Sequence, residues 1–275
     1  MSKTLIQRTA TALLPFILAA CATTGSAQLT GVEERSARLA KAGAMFAERC
    51  KKAGVFIHRR AENVEGIFLM KLRPQGINHG DQYAMDDPYG RDLGGDGYIL
   101  NFLRGFETRQ AQFAPGAPSR YGYHYVEALD PKDGKRYRYT GSVKEVAHTT
   151  SILMGGDGKT TFKTKDFVLD KVPASGPMPR YGVTYEDIST REERDYWIAG
   201  SSLKVIDLNT NEVMAERIGY MMDRGQGSNA GGRSPWLLAA RYACPEFPID
   251  GSRQSYQVGQ TRNFVEKVLK PIQEK

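Results

Sequence analysis

At 275 residues, 40% of them apolar, the chain can bury the core of one large domain or two small ones. Its net charge of +7 is spread without a dense Lys/Arg block and without an aromatic RNA-binding signature, which argues against a nucleic-acid partner. Beyond the N-terminus no apolar run is long enough to cross a bilayer of about 30 Å.

Residues 1–20 have the form of an export leader. Lys3 and Arg8 give a positive start, and Ala10 to Ala20 is apolar apart from Thr11. That run falls well short of the about 20 apolar residues that a spanning helix needs. Its last four residues, Leu18-Ala19-Ala20-Cys21, resemble the lipobox of bacterial lipoproteins. The resemblance implies a diacylglycerol on the Cys21 thiol, cleavage just before that residue, and attachment to a membrane through the lipid. Residues 21–31 then form a small, polar, flexible tether. Ala22 stands where an Asp would favour inner-membrane retention, so the resemblance implies the outer membrane, most simply its periplasmic face. Two alternatives stay open at this point. Gly25-Ser26-Ala27 suits ordinary signal peptidase, which would release the protein into the periplasm, or Cys21 is an incidental apolar residue.

The remainder, 32–275, reads as one α+β domain. Leu39, Ala42, Phe46, Cys50 and Ala53 recur every three or four residues, which predicts a helix over 32–53 that stops at Gly54. Strand-like runs follow at 55–58, 66–73, 98–106, 121–129, 136–146, 161–169 and 181–187. Two hairpins stand out among them. The first turns at Asp130-Pro131-Lys132-Asp133-Gly134, and strand alternation would put Tyr121, Tyr123 and Tyr125 on one face and Tyr137 and Tyr139 on one face. The second runs from Trp197 to Met222 and turns near Asn209-Thr210-Asn211. A short helix over 235–243 leads to Cys244, and a final helix from Gly259 carries Phe264, Val265, Val268, Leu269 and Ile272 on one face. Helix, strands, then helices predict an antiparallel sheet of long hairpins flanked by N-terminal and C-terminal helices.

Of the three cysteines, lipid on Cys21 leaves Cys50 and Cys244 as an even pair. In an oxidising compartment that pair forms a disulfide, the alternative being two separately buried thiols. The histidines His58, His79, His124 and His148 have no metal-ligand spacing, and neither a metal nor a cofactor is expected. Ser201-Ser202-Leu203-Lys204 has the Ser-x-x-Lys form, yet lies in a strand-like run where serine and lysine would stand about 10 Å apart. The glycine-rich stretch 225–233 lacks the context of a nucleotide loop or a nucleophile elbow and reads as a flexible connector.

Two regions remain as binding candidates. The loop 78–97 gathers Asp81, Asp86, Asp87, Asp92 and Asp96 among glycines, without the frame of a calcium loop. The first hairpin offers Tyr123, Tyr125, Tyr137 and Arg138, with Arg120 and Arg136 nearby, a composition found in protein-binding hot spots. The alternative there is plain cross-strand packing of tyrosines. Taken with "VEGIFLMKLRP" (64–74), the 197–222 hairpin and the late "ACP" (243–245), the chain is similar to envelope lipoproteins of Gram-negative bacteria. The resulting expectation is a non-catalytic module that binds an envelope protein. The alternative is an envelope hydrolase acting on peptidoglycan or glycan with acids from 81–96.

Overall fold

The computed structural model describes residues 20–75, 81–90, 93–105, 122–247, 257 and 259–273. Residues 1–19, His79, Asp92, Arg120 and Tyr121 lie outside the described residues. The chain divides into two units, Met1–Lys41 and Ala42–Lys275, and helix α1 (Ala20–Cys50) runs across the division. Its backbone is helical from Ala20 rather than Val32; no proline stands in that stretch to stop it. Its last turns bear out the expected stripe. Ala42 is fully buried, and Met45, Phe46 and Ala53 pack against Ile198, Tyr220 and Met222.

Strands β1 (Gly54–Ile57), β2 (Ala61–Val64) and β3 (Gly66–Leu69) follow in quick succession. Next come α2 (Asp96–Leu100), β4 (Tyr125–Leu129), β5 (Arg136–Thr149), β6 (Thr161–Pro173) and β7 (Tyr181–Asp187). The chain continues through α3 (Arg191–Asp195), β8 (Ile198–Asp207), β9 (Glu212–Met222), α4 (Pro235–Ala239) and β10 (Ala243–Cys244). It closes with α5 (Gln260–Val268) and β11 (Leu269–Pro271). The main sheet has the order β1-β9-β8-β7-β3-β4-β5-β6, with β10 also on β9.

Helices and strands are thus mixed, and the sheet corrects the purely antiparallel expectation. β3 pairs in parallel with both β4 and β7, while β4-β5-β6 and β7-β8-β9 are antiparallel as expected. A parallel strand is covered on both faces and so reads as a continuous apolar run. Gly66-Ile67-Phe68-Leu69 is buried throughout. Ile67 and Leu69 enter the main core with Val126, Val183, Leu203, Val205 and, from α5, Phe264, Val265 and Val268. Each such side chain contributes about 1.5–3 kcal/mol through the apolar area it removes from water. Gly66 is required: a Cβ there would lie 2.3 Å from the Tyr125 ring.

Three further expectations shift. The run 98–106 opens as helix α2 and then bridges Leu103 to Tyr123, because Tyr98 and Phe102 stack edge-on across one turn at 5.5 Å. The helix at 235 ends at Ala239, so Cys244 arrives on a strand rather than on a helix. The last helix ends at Val268, where Leu269 begins a short parallel pairing with β2. The predicted pairing of cysteines holds: Cys50 and Cys244 form a disulfide with Cα atoms 5.5 Å apart.

The β8–β9 turn carries a buried carboxylate. Asp207 accepts from Arg180 Nη2 at 2.8 Å, from Arg59 Nη2 at 2.8 Å and from the Asn209 amide at 3.2 Å. The Arg180 bond, opposed by burial and helped by Arg59 and Asn209, holds its carboxyl at about 2 instead of 3.8. A carboxyl depressed on folding contributes stability that is complete above its unfolded value and is lost as pH falls through its folded value. Asp207→Asn should therefore lower the melting temperature at pH 7 and flatten the acid limb between about pH 4 and pH 2. Melting curves across that range check it; an acid limb of unchanged slope would contradict the assignment.

Candidate functional site

The hairpin β4–β5 does not present its four candidate residues on one surface. Tyr123 precedes β4 and is fully buried in the main core, where its hydroxyl donates to the Leu269 carbonyl at 2.6 Å. Burial and the Glu266 carboxylate raise its pKa well above the usual tyrosine value. It is a core residue, which corrects its expected place at a binding surface. Tyr125 faces the other way, because strand alternation starts only at Tyr125, after Gly122 at φ +24° and a bend at His124.

Register separates the remaining pair. Tyr137 stands opposite Ala128, and Arg138 opposite Glu127, so their side chains leave opposite faces of the sheet. Arg138 lies over the Tyr125 ring at 3.9 Å and donates through Nε to the buried Glu127 carboxylate at 2.9 Å. Tyr137 belongs with Tyr139 on the core side, under Lys171 at 3.9 Å, and donates to Asp133 at 2.7 Å. That bond raises the Tyr137 pKa and, after the Lys135 amide, helps to lower that of Asp133.

The face of Tyr139 leads to a cleft of about 870 Å³. Its walls are Leu72, Ile99, Leu129, Pro131, Tyr139 and Leu169. Its polar lining includes Lys71, Asp86, Asp96, Asp130, Lys132 and Lys171. Both candidate regions of the sequence therefore meet here: Asp86 and Asp96 from the acidic loop, and the 129–132 turn with Tyr139 from the hairpin.

Four of these polar groups, Lys71, Asp86, Asp130 and Lys171, are held from behind. Lys71 donates to Asp86 Oδ1 at 2.8 Å and lies over the Tyr185 ring, and the Tyr185 hydroxyl donates to Asp86 Oδ2 at 2.9 Å. Burial raises the Tyr185 pKa, which keeps this hydroxyl protonated and a donor. Across the cleft Asp130 accepts from Lys171 and from the Lys132 amide, the two largest causes of its lowered pKa; the same pairing raises that of Lys171. Beneath the loop wall Arg73 is buried, stacked on Tyr185 at 3.9 Å and donating to Asp87 Oδ2 at 3.0 Å. Asp87 also accepts from the Gly90 amide and from Ser201 Oγ. Of the remaining loop acids, Asp81 accepts from the Tyr83 amide and is exposed.

The other motifs resolve into structural roles. Ser201 binds Asp87 on one face of β8 while Lys204 reaches Glu186 on the other, a geometry that keeps the Ser-x-x-Lys groups apart. Residues 225–233 are pinned rather than loose: Asp223 accepts from the Gly225 and Gly227 amides and pairs with Arg233. His124 contacts Arg104, and His148 pairs with Asp166. Among the described residues no three His, Cys, Asp or Glu side chains gather in a way that could hold a metal. The lysines of the cleft, Lys71, Lys132 and Lys171, were not legible as site residues, since they are far apart in sequence and share no motif. No family model, curated protein or solved structure matches the chain.

Proposed function

We propose that this protein is a lipoprotein of the outer membrane, tethered through Cys21, whose folded body binds another envelope protein without catalysing a reaction. The observation that supports binding is the cleft between the 71–75 segment that follows β3, α2 and the 129–132 turn. Its volume of about 870 Å³ falls in the range of specific ligand sites, and its apolar walls are bordered by lysines and aspartates in equal number. A border of both signs suits a polypeptide segment, whose own charges are mixed, better than a uniform polyanion. The hydrolase alternative would take its acids from 81–96, and of these Asp86 is paired with Lys71 and Asp87 is buried against Arg73.

A photo-crosslinking side chain at Leu129, in the full chain in its own envelope, should give one discrete protein adduct. Lys171→Glu should abolish that adduct, and the same probe at exposed Leu237, outside the cleft, should give none. Cys21→Ala should abolish incorporation of labelled palmitate into the chain. Turnover of purified peptidoglycan, lost on Asp96→Asn, would replace this reading with the hydrolase.

A further inference from the structure

Strands β5 and β6 run past the sheet. Among the described residues β4 accompanies β5 only at Arg136–Tyr139, and from Thr140 outward β5 pairs with β6 alone. Phe167 still packs into the core, whereas the six residues Lys144–Thr149 form a free two-stranded ribbon, roughly 20 Å long at about 3.3 Å per residue. At its end a single 3-10 turn holds Ile152, Leu153 and Met154, which are 74%, 98% and 92% exposed. Three consecutive large apolar side chains in water at the end of a projecting arm serve no packing role in this fold.

We infer that the ribbon tip is a membrane-contact element that seats Ile152, Leu153 and Met154 among the headgroups and upper acyl chains of an anionic bilayer. Three observations select lipid over a protein pocket. First, three side chains fall well short of the about 800 Å² per partner that a stable protein interface needs, whereas a bilayer needs no matching surface and takes up whatever apolar area is offered. Second, the turn satisfies much of its own backbone: the amides of Met154, Gly155 and Gly156 donate to carbonyls within 151–152. Entry into an apolar layer then leaves fewer polar groups unpaired. Third, the lysine beside the tip is available to anionic headgroups. Asp157 holds its carboxylate inside the turn, on Thr150, Thr160 and the Lys159 amide, and the Lys159 ammonium makes no ion pair among the described residues. Apolar side chains at the point with a lysine behind them is the order in which a membrane surface presents its own layers.

The inference does not depend on the lipid at Cys21, and its test is run without that lipid. The full chain carrying Cys21→Ser should co-sediment with vesicles of phosphatidylethanolamine and phosphatidylglycerol, and a substantial part of the binding should survive 0.5 M salt. Leu153→Trp should show a blue-shifted emission on these vesicles and quenching by brominated acyl chains. Leu153→Asp with Met154→Asp should weaken vesicle binding at least tenfold with an unchanged melting temperature, since both positions touch only water. Vesicle binding equal in the aspartate variant, or an indole in the Leu153→Trp variant that stays in water on saturated vesicles, overturns the proposal. So does a crosslink from position 153 in the envelope that goes to a single protein and not to lipid. Failure of the cleft crosslink at Leu129 would leave these results unchanged.

Discussion

Removal of the Cys50–Cys244 bridge is expected to lower stability by about 2–5 kcal/mol, a fall in melting temperature on the order of 10 °C. The bridge joins residues 194 apart in sequence, so the reduced unfolded chain regains the entropy of a very long loop, roughly 5 kcal/mol in the chain-entropy description. Its loss also acts on the folded state. β10 is only Ala243–Cys244 and holds β9 through two residue pairs, Ala243 with Met221 and Cys244 with Tyr220. On the other side the disulfide secures the end of α1, where Phe46 and Ala53 share a small cluster with Ile198, Tyr220 and Met222. Differential scanning calorimetry of the Cys50→Ala, Cys244→Ala double variant measures the effect without a stray thiol. Cys50→Ser alone should expose Cys244 to alkylation well below the melting temperature of the intact protein. Equal melting temperatures for the bridged and double-variant proteins would deny the disulfide any part in stability.

The pairing of these cysteines could be read from the sequence because it followed from counting, once Cys21 was expected to carry lipid and the chain to be exported. Local elements were legible for a similar reason. β7 occupies the expected 181–187, and the β8–β9 turn falls where Asn209-Thr210-Asn211 placed it, with Asn211 at φ 56°, a conformation asparagine tolerates well. What the sequence withheld was partnership at a distance. The run 66–69 is visibly apolar, but nothing in it says that β4 and β7 lie alongside in parallel, since alternation encodes faces and not neighbours. The tyrosine face failed for a related reason. Alternation extended back through Tyr123 overshoots the strand, which begins two residues later, and Tyr123 turns into the core. The cleft was the least legible feature, because Lys71, Asp86, Asp96, Asp130 and Lys171 come from separate elements that only the folded sheet brings together.

Among side-chain changes, Asp87→Asn should be severe, costing about 3–5 kcal/mol, the usual effect of leaving one member of a buried ion pair without its partner. Arg73 and Asp87 are both fully buried as side chains, and their contact is 3.0 Å. Burial opposes the charge on Arg73, but the Asp87 carboxylate, with the Tyr98 and Tyr185 rings, more than offsets it, and the guanidinium pKa is raised. Arg73 Nε and Nη2 have no hydrogen-bond acceptor among the described residues, and the guanidinium carbon lies over the Tyr98 and Tyr185 rings, so the carboxylate is the main compensation for a charge removed from water. Asparagine is the informative replacement. Asp87 sits at φ 52°, which asparagine accepts, and the amide oxygen can still receive the Gly90 N–H. The variant therefore isolates the charge from the backbone geometry. Arg73→Met with Asp87→Asn should recover much of the loss, since both charges are then gone and the methionine stem fills the space between the rings. Urea unfolding of the two single variants and the double gives the coupling directly; additive losses would show that the two groups do not act as a pair. The same variant reaches the cleft. The Arg73 carbonyl accepts from the Gly95 amide at the start of α2, so Asp87→Asn should also speed hydrogen exchange at Gly90 and Gly95. If the pair holds the loop wall in place, the proposed crosslink at Leu129 should fall with that protection, even under conditions where the sheet is still folded.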